Sequence, residues 1–145
     1  MDKKVSTEKF LVTVYKNAVI AINSIADISP ETDDPEMKKE LAEEYKGYED
    51  FINILGNYME KHGIEEEGMN PIKKMMMGAG IKMSAMKDDS RSHIAEMMVK
   101  GTITGITELG EMLSANEQLP EEVRKFAFDL KLIEETFEER LKKLL

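Results

Sequence analysis

The chain has no cysteine and no tryptophan, only two histidines and only four prolines. Without cysteine it forms no disulfide, no thiolate metal site and no thiol nucleophile. That fits a reducing compartment, and a cytoplasmic location is expected. Two histidines leave little material for an imidazole-rich metal centre. Aromatic residues are 6% of the chain, so the core must be aliphatic and filled from the twelve methionines. Basic residues are also the minority, 20 against 29 acidic, for a formal net charge of −9. Such a surface repels phosphate backbones and anionic lipid, so neither nucleic acid nor membrane is an expected partner. No run approaches the roughly 20 apolar residues of a membrane span. The opening, MDKKVSTEKFLVTVYKNAVIAINSIADI, sets basic residues before an apolar stretch, but Lys16, Asn17, Asn23 and Ser24 interrupt it. No small-residue cleavage site follows, so it reads as a first helix and not a signal peptide.

What the chain does have is helical periodicity. At 145 residues, 41% hydrophobic and 34% charged, it is sized and composed as one helical domain, residues 1–145. Leu11, Val14, Ala18, Ile22 and Ile25 share one face of a first helix, expected from Ser6 or Thr7 to about residue 26. Pro30 stops it, because the residue before proline resists helical geometry. Asp34-Pro35 is an N-cap followed by proline at the first helical position. From there Met37, Leu41, Tyr45, Tyr48, Ile52, Leu55 and Met59 form the clearest apolar seam in the chain. Gly63 suits the left-handed residue that ends this second helix.

Asn70-Pro71 repeats the cap-then-proline pattern and opens a third helix with Ile72, Met75, Met76, Ala79, Met83 and Met86 on its stripe. Asp88, Asp89 and Ser90 are capping types, so a kink or break is expected near residues 87–90. The helix resumes over residues 91–113, with Ile94, Met97, Met98, Gly101, Gly105, Leu109 and Met112 along its face. A turn over residues 114–118 precedes Pro120 and a last helix faced by Val123, Phe126, Ala127, Leu130, Ile133, Phe137, Leu141 and Leu144. No strand pattern occurs. Short connections predict antiparallel neighbours, hence an all-α, up-down-up-down four-helix bundle.

Candidate site residues are few. His93 and Glu96 stand three apart and share one helix face, a spacing that would let both reach one metal ion. Glu96 in a first turn is also favoured by the helix dipole, and His62 suits the end of the second helix for the same reason. Most carboxylates fall between seam positions and are expected in solvent. Glu44 and Glu134 lie nearest the edges of their apolar faces, where a hydrogen-bonded or paired carboxyl is expected in preference to a catalytic one. The first helix has no carboxylate between Glu8 and Asp27, a gap of about five turns. A midplane di-metal centre would lack a ligand from that side. The methionines at 75, 76, 77, 83, 86, 97 and 98 read as packing, with an adaptable apolar groove as the functional variant. Gly101 and Gly105, with Thr104 beside them, permit close approach of a bulky seam such as Tyr45 or Phe137. The GAG at residues 78–80 lacks the strand and GK[ST] of a nucleotide loop.

The segments PEMKKELAEEYKGYEDFINILGNYMEKHG, PIKKMMMGAGIKMSAM, DDSRSHIAEMMVKG and LPEEVRKF, in this order, resemble the ferritin-like, rubrerythrin-related bundles, in particular their short bacterial members of unknown function. The resemblance implies the ferritin-like fold. It also implies where iron ligands would stand: Glu on the first and third helices, Glu-x-x-His on the second and fourth. The first-helix position falls at Val19 or Ile20. Glu44 matches the second-helix Glu, with Gly47 at its His. The third-helix position falls at Val99 or Thr102, with Glu96 one turn earlier. Glu134 or Glu135 matches on the fourth, with Phe137 or Glu138 at the His.

The resulting expectation is a non-enzymatic bundle without cofactor that acts by association with itself or another protein. Either the Met-rich third helix or the second-helix seam would be shared across a dimer. One alternative is a protein binding iron or another divalent metal through Glu44, His93, Glu96 and Glu134. A second is a carrier of an apolar ligand in a Met-lined space.

Overall fold

The computed structural model describes residues 5–64 and 88–145, and the description below concerns these alone. They form four α-helices and one short 3-10 turn. Helix α1 runs Thr7–Ile28, the 3-10 turn Ser29–Glu31, α2 Pro35–Lys61, α3 Arg91–Ala115 and α4 Glu121–Lys142. The expectations placed on residues 65–87, including the Asn70-Pro71 start, the 75–86 methionines and the GAG, lie outside the described residues.

The helix boundaries follow from local chemistry. Ser6 caps α1 by accepting a hydrogen bond from the Lys9 amide at 3.2 Å. Asp34 caps α2 through the Met37 amide at 2.9 Å. Each such cap stabilises its helix by about 1 kcal/mol. Gly63 ends α2 with φ +64°, a conformation that costs glycine nothing and other residues strain. Residues 88–90 are not helical, and Ser90 caps α3 through the His93 amide at 3.3 Å. A helix therefore starts afresh at Arg91, as the capping residues predict.

The core is one aliphatic cluster drawn from all four helices. Phe10, Leu11, Val14, Met37, Leu41, Leu55, Ile94, Leu109, Leu130 and Leu141 are fully or almost fully buried. Burial of each large side chain contributes about 1.5–3 kcal/mol, the dominant favourable contribution to the fold. Contacts between helices link early residues of one to late residues of another. Arg140 pairs with Glu40 at 2.9 Å, while Tyr58 donates to Glu122 at 2.8 Å. Val5 donates to Asn116 Oδ1 at 2.8 Å, while Asn17 reaches Gly105 O at 3.2 Å.

Three expectations are corrected. Tyr45 does not belong to the α2 seam: it is exposed, and Glu44 is buried in its place. The reason is angular, since Leu41, Glu44 and Tyr48 at steps of three and four trace the inner face, whereas Tyr45 sits just past its edge. Among the described residues Gly101 packs against no bulky side chain, and a Cβ there would meet nothing within 4 Å. It is Gly47 that admits Phe137, and Gly105 that admits Glu134. Finally, α1 with its following turn is long and apolar enough to cross a membrane by length and composition alone. Lys16 is its one charge between Lys9 and Asp27, too little to lower the average. Half of its most apolar stretch is buried inside the bundle.

Candidate ligand cavity

The inward faces are not uniformly apolar, although most of the described carboxylates are exposed as expected. Glu44 and Glu134 each keep only 1% exposure, and Glu40 is buried as well. Glu44 is placed by the α2 periodicity and Glu134 by that of α4, one turn after Leu130 and three residues before Phe137. Both border a cavity of about 290 Å³. Its walls come from α1, through Asn17, Ile20, Ala21, Ser24, Ile25 and Ile28, and from α3, through Met97, Met98, Gly101, Thr104, Gly105 and Glu108. Ile20, Gly101, Thr104 and Glu108 are exposed and form the mouth, while Glu44, Tyr48 and Glu134 lie at the base. The α1 wall spans residues 17–28, about 16 Å at helical rise.

The polar groups at the base are unevenly satisfied. The Tyr48 hydroxyl donates to Glu134 Oε2 at 3.3 Å. Glu134 Oε1 and Glu44 Oε2 are buried and have no hydrogen-bond partner among the described residues. Burial pushes the Glu134 carboxyl up to about 8, opposed by the Tyr48 hydroxyl and reinforced by the charge of Glu108. Burial pushes Glu44 up to about 10, with the neighbouring Glu40 adding to the shift and Arg140 opposing it. Tyr48 stands well above the ordinary phenol range through its burial and the nearby Glu134 and Glu44. Burial therefore favours the protonated form of both base carboxyls.

The rim is held by a separate set of bonds. Asn17 Nδ2 donates to Glu108 Oε1 at 2.8 Å and to Gly105 O at 3.2 Å, tying α1 to α3 at one end of the cavity. The Thr102 and Thr104 hydroxyls donate to the Met98 and Lys100 carbonyls, one turn back on their own helix. Beside the cavity, the Arg140 guanidinium bonds Glu40 at 2.9 Å and also Glu43.

Of the four residues weighed as metal ligands, Glu44 and Glu134 reach this cavity and His93 and Glu96 do not. Glu96 is exposed and pairs with Lys100 at 3.0 Å. His93 lies in the first turn of α3, where its amide meets the Ser90 cap. His62 stacks on Tyr58 with ring centroids 4.1 Å apart. Among the described residues no three His, Cys, Asp or Glu side chains converge closely enough to hold a metal ion. The positions the resemblance assigns to ligand histidines carry Gly47 and either Phe137 or Glu138, and Gly47 and Phe137 fill each other's space, with Phe137 Cζ 2.8 Å from where a Gly47 Cβ would be. Among the described residues the donor set does not fit a di-iron centre.

Asn17, Ser24 and Glu108 escaped the sequence reading as cavity residues. Their signal was present: Asn17 and Ser24 are polar, seven apart and on one stripe of an otherwise apolar helix, the mark of a wet face. Comparison of the chain with protein-family models, with curated proteins and with solved structures finds no match in any of the three.

Proposed function

We propose that this protein is a non-enzymatic binding bundle that takes a small, largely apolar molecule between α1 and α3. The observation that carries the reading is the cavity itself: aliphatic and thioether walls, an exposed mouth and buried carboxyl oxygens without partners at the base. Its volume, about 290 Å³, is roughly twice that of apolar protein cavities known to admit benzene. Flexible Met97 and Met98 suit a wall that adapts to its guest. The Thr102 and Thr104 hydroxyls, each engaged by a backbone carbonyl, are poorly disposed to act as nucleophiles. Glu40–Arg140 and Tyr58–Glu122 run α2 against α4, and Val5–Asn116 and Asn17–Gly105 run α1 against α3, which supports an up-down-down-up order of the ferritin-like kind in place of the expected up-down-up-down one, with a carbon-filled pair where metal ligands would stand.

Gly101 provides the test. It lines the mouth and has open space around its missing Cβ. Gly101→Leu is expected to fold normally, gain helix propensity and obstruct the cavity. Calorimetric titration with n-octanol should show saturable binding to the native chain and none to the variant. Absence of saturable binding, or equal binding by both, overturns the reading.

A second reading, self-association, rests on Phe128 and Leu132. They are 62% and 58% exposed and one turn apart on the outer side of α4. The α2 seam does not serve this purpose, because Met37, Leu41, Tyr48, Ile52, Leu55 and Met59 are buried within the chain. Sedimentation velocity of the native chain and of Phe128→Lys separates a dimer through this face from a monomer.

A further inference from the structure

We propose that the cavity selects a small organic cation, an ammonium head carried on a hydrophobic tail. This rests on the binding reading above and names the chemical class of the ligand. Among the described residues, every titratable side chain on the lining is an acid or a phenol, Glu44, Tyr48, Glu108 and Glu134, no lysine, arginine or histidine lines it, and α1 contributes no titratable group. The guanidinium next to it, Arg140, is engaged by Glu40 and Glu43 and does not line the cavity.

The chemistry of the base discriminates among head groups. A carboxylate or phosphate entering there would add its charge to that of Glu108 at the mouth and find no cation among the described lining residues, and burial of an unpaired anion is strongly unfavourable. A hydroxyl head supplies one donor. An ammonium supplies three and has no acceptor. Glu134 Oε1 and Glu44 Oε2 are buried oxygens without a partner among the described residues, and each accepts from an ammonium once its carboxyl has given up its proton. The tail then lies along Ile25, Ile28, Met97 and Met98, toward the other end of the α1 wall.

Entry of the cation also resolves the cost of its own charge. Burial keeps the Glu134 and Glu44 carboxyls protonated in the empty cavity. An ammonium beside them reverses that preference, and one carboxyl loses its proton to solvent. A positive charge enters as a proton leaves, so the buried net charge is unchanged. The groups that bear on this exchange are Tyr48 from α2 and Glu108 from α3 around Glu134, and Glu40 from α2 and Arg140 from α4 around Glu44.

The test is isothermal titration of the full chain at pH 7 with n-octylammonium, n-octanol and octanoate, in two buffers of different ionisation enthalpy. Octylammonium is expected to bind at least about tenfold more tightly than octanol, with octanoate weakest. Its binding should release about one proton, seen as a buffer-dependent heat. Glu134→Gln and Glu44→Gln should each erode the preference for ammonium while keeping octanol binding. If a variant fails to fold, the three-probe comparison on the native chain decides alone. Octanol or octanoate binding as tightly as octylammonium overturns the charge selection and leaves the cavity reading standing. Failure of all three probes overturns the binding reading itself. Saturable Mn²⁺ binding that excludes octylammonium also overturns the inference, in favour of a metal site.

Discussion

Gly105 and Glu134 are shaped to one another: a Cβ on Gly105 would lie 2.7 Å from Glu134 Oε1. The absent side chain on α3 makes the space in which the α4 carboxyl is buried. Gly105→Ala is therefore expected to destabilise the fold by about 1–3 kcal/mol through overpacking, outweighing a helix-propensity gain of about 1 kcal/mol. Adding Glu134→Ala removes the collision. The double variant should be more stable than the sum of the single effects predicts, measured by urea denaturation. Simple additivity would mean that the two residues do not share this space.

A similar argument applies at Gly47, with a different neighbour. Phe137 Cζ lies 2.8 Å from the virtual Cβ, and the ring is buried edge-on to Tyr48 at a centroid distance of 5.4 Å. Gly47→Ala should lower stability by about 1–3 kcal/mol, and Phe137→Leu in the same chain should recover part of that loss. A thermal melt of Gly47→Ala at or above the native midpoint would show that the ring yields without cost.

Much of the fold was legible in the chain, because caps and periodicity are local signals. Ser6, Asp34 and Ser90 each cap a helix by accepting a backbone hydrogen bond, and Gly63 has the positive φ that its place after His62 suggested. The α1 and α4 stripes needed no correction to their apolar members. The cavity was harder to read. Glu44 and Glu134 were singled out as edge carboxyls, but whether an edge residue turns inward depends on the neighbouring helix. At Glu134 the deciding factor is Gly105, 29 positions earlier. His93 and Glu96 show the converse: their three-residue spacing is real, yet α3 presents Glu96 to Lys100 and solvent. Spacing along one helix fixes a shared face and leaves open which way that face points.

Arg140 has a supporting role that a substitution should expose. It bridges α4 to Glu40 and Glu43 on α2, and the Glu40 side chain is only 10% exposed. Arg140→Gln leaves Glu40 buried without its cation, at a cost of about 1–3 kcal/mol. It also removes the charge that opposes the upward shift at Glu44. Chemical denaturation at pH 7 should show the loss, and Arg140→Gln/Glu40→Gln should recover most of it. If the double variant is no more stable than the single one, the pair is not what holds these ends together.

The two buried acids give stability a pH dependence opposite to that of ordinary ion-paired carboxylates. Glu134 keeps its proton to about pH 8 when folded, against an ordinary value of 4.5. Glu44 keeps its proton to about pH 10. The folded state therefore binds more protons than the unfolded state above about pH 4.5. The contribution of these groups is complete below that value and is lost as pH rises through 8 for Glu134 and 10 for Glu44. The groups facing Glu134 are Tyr48 and Glu108, neither of which supplies a compensating positive charge. Glu134→Gln removes the titration without removing the side chain. Between pH 5 and pH 9 its stability should rise relative to the native chain by about 1–3 kcal/mol, the scale of an uncompensated buried group. Parallel stability–pH curves for the two proteins would place the Glu134 carboxyl in contact with solvent and out of the cavity base.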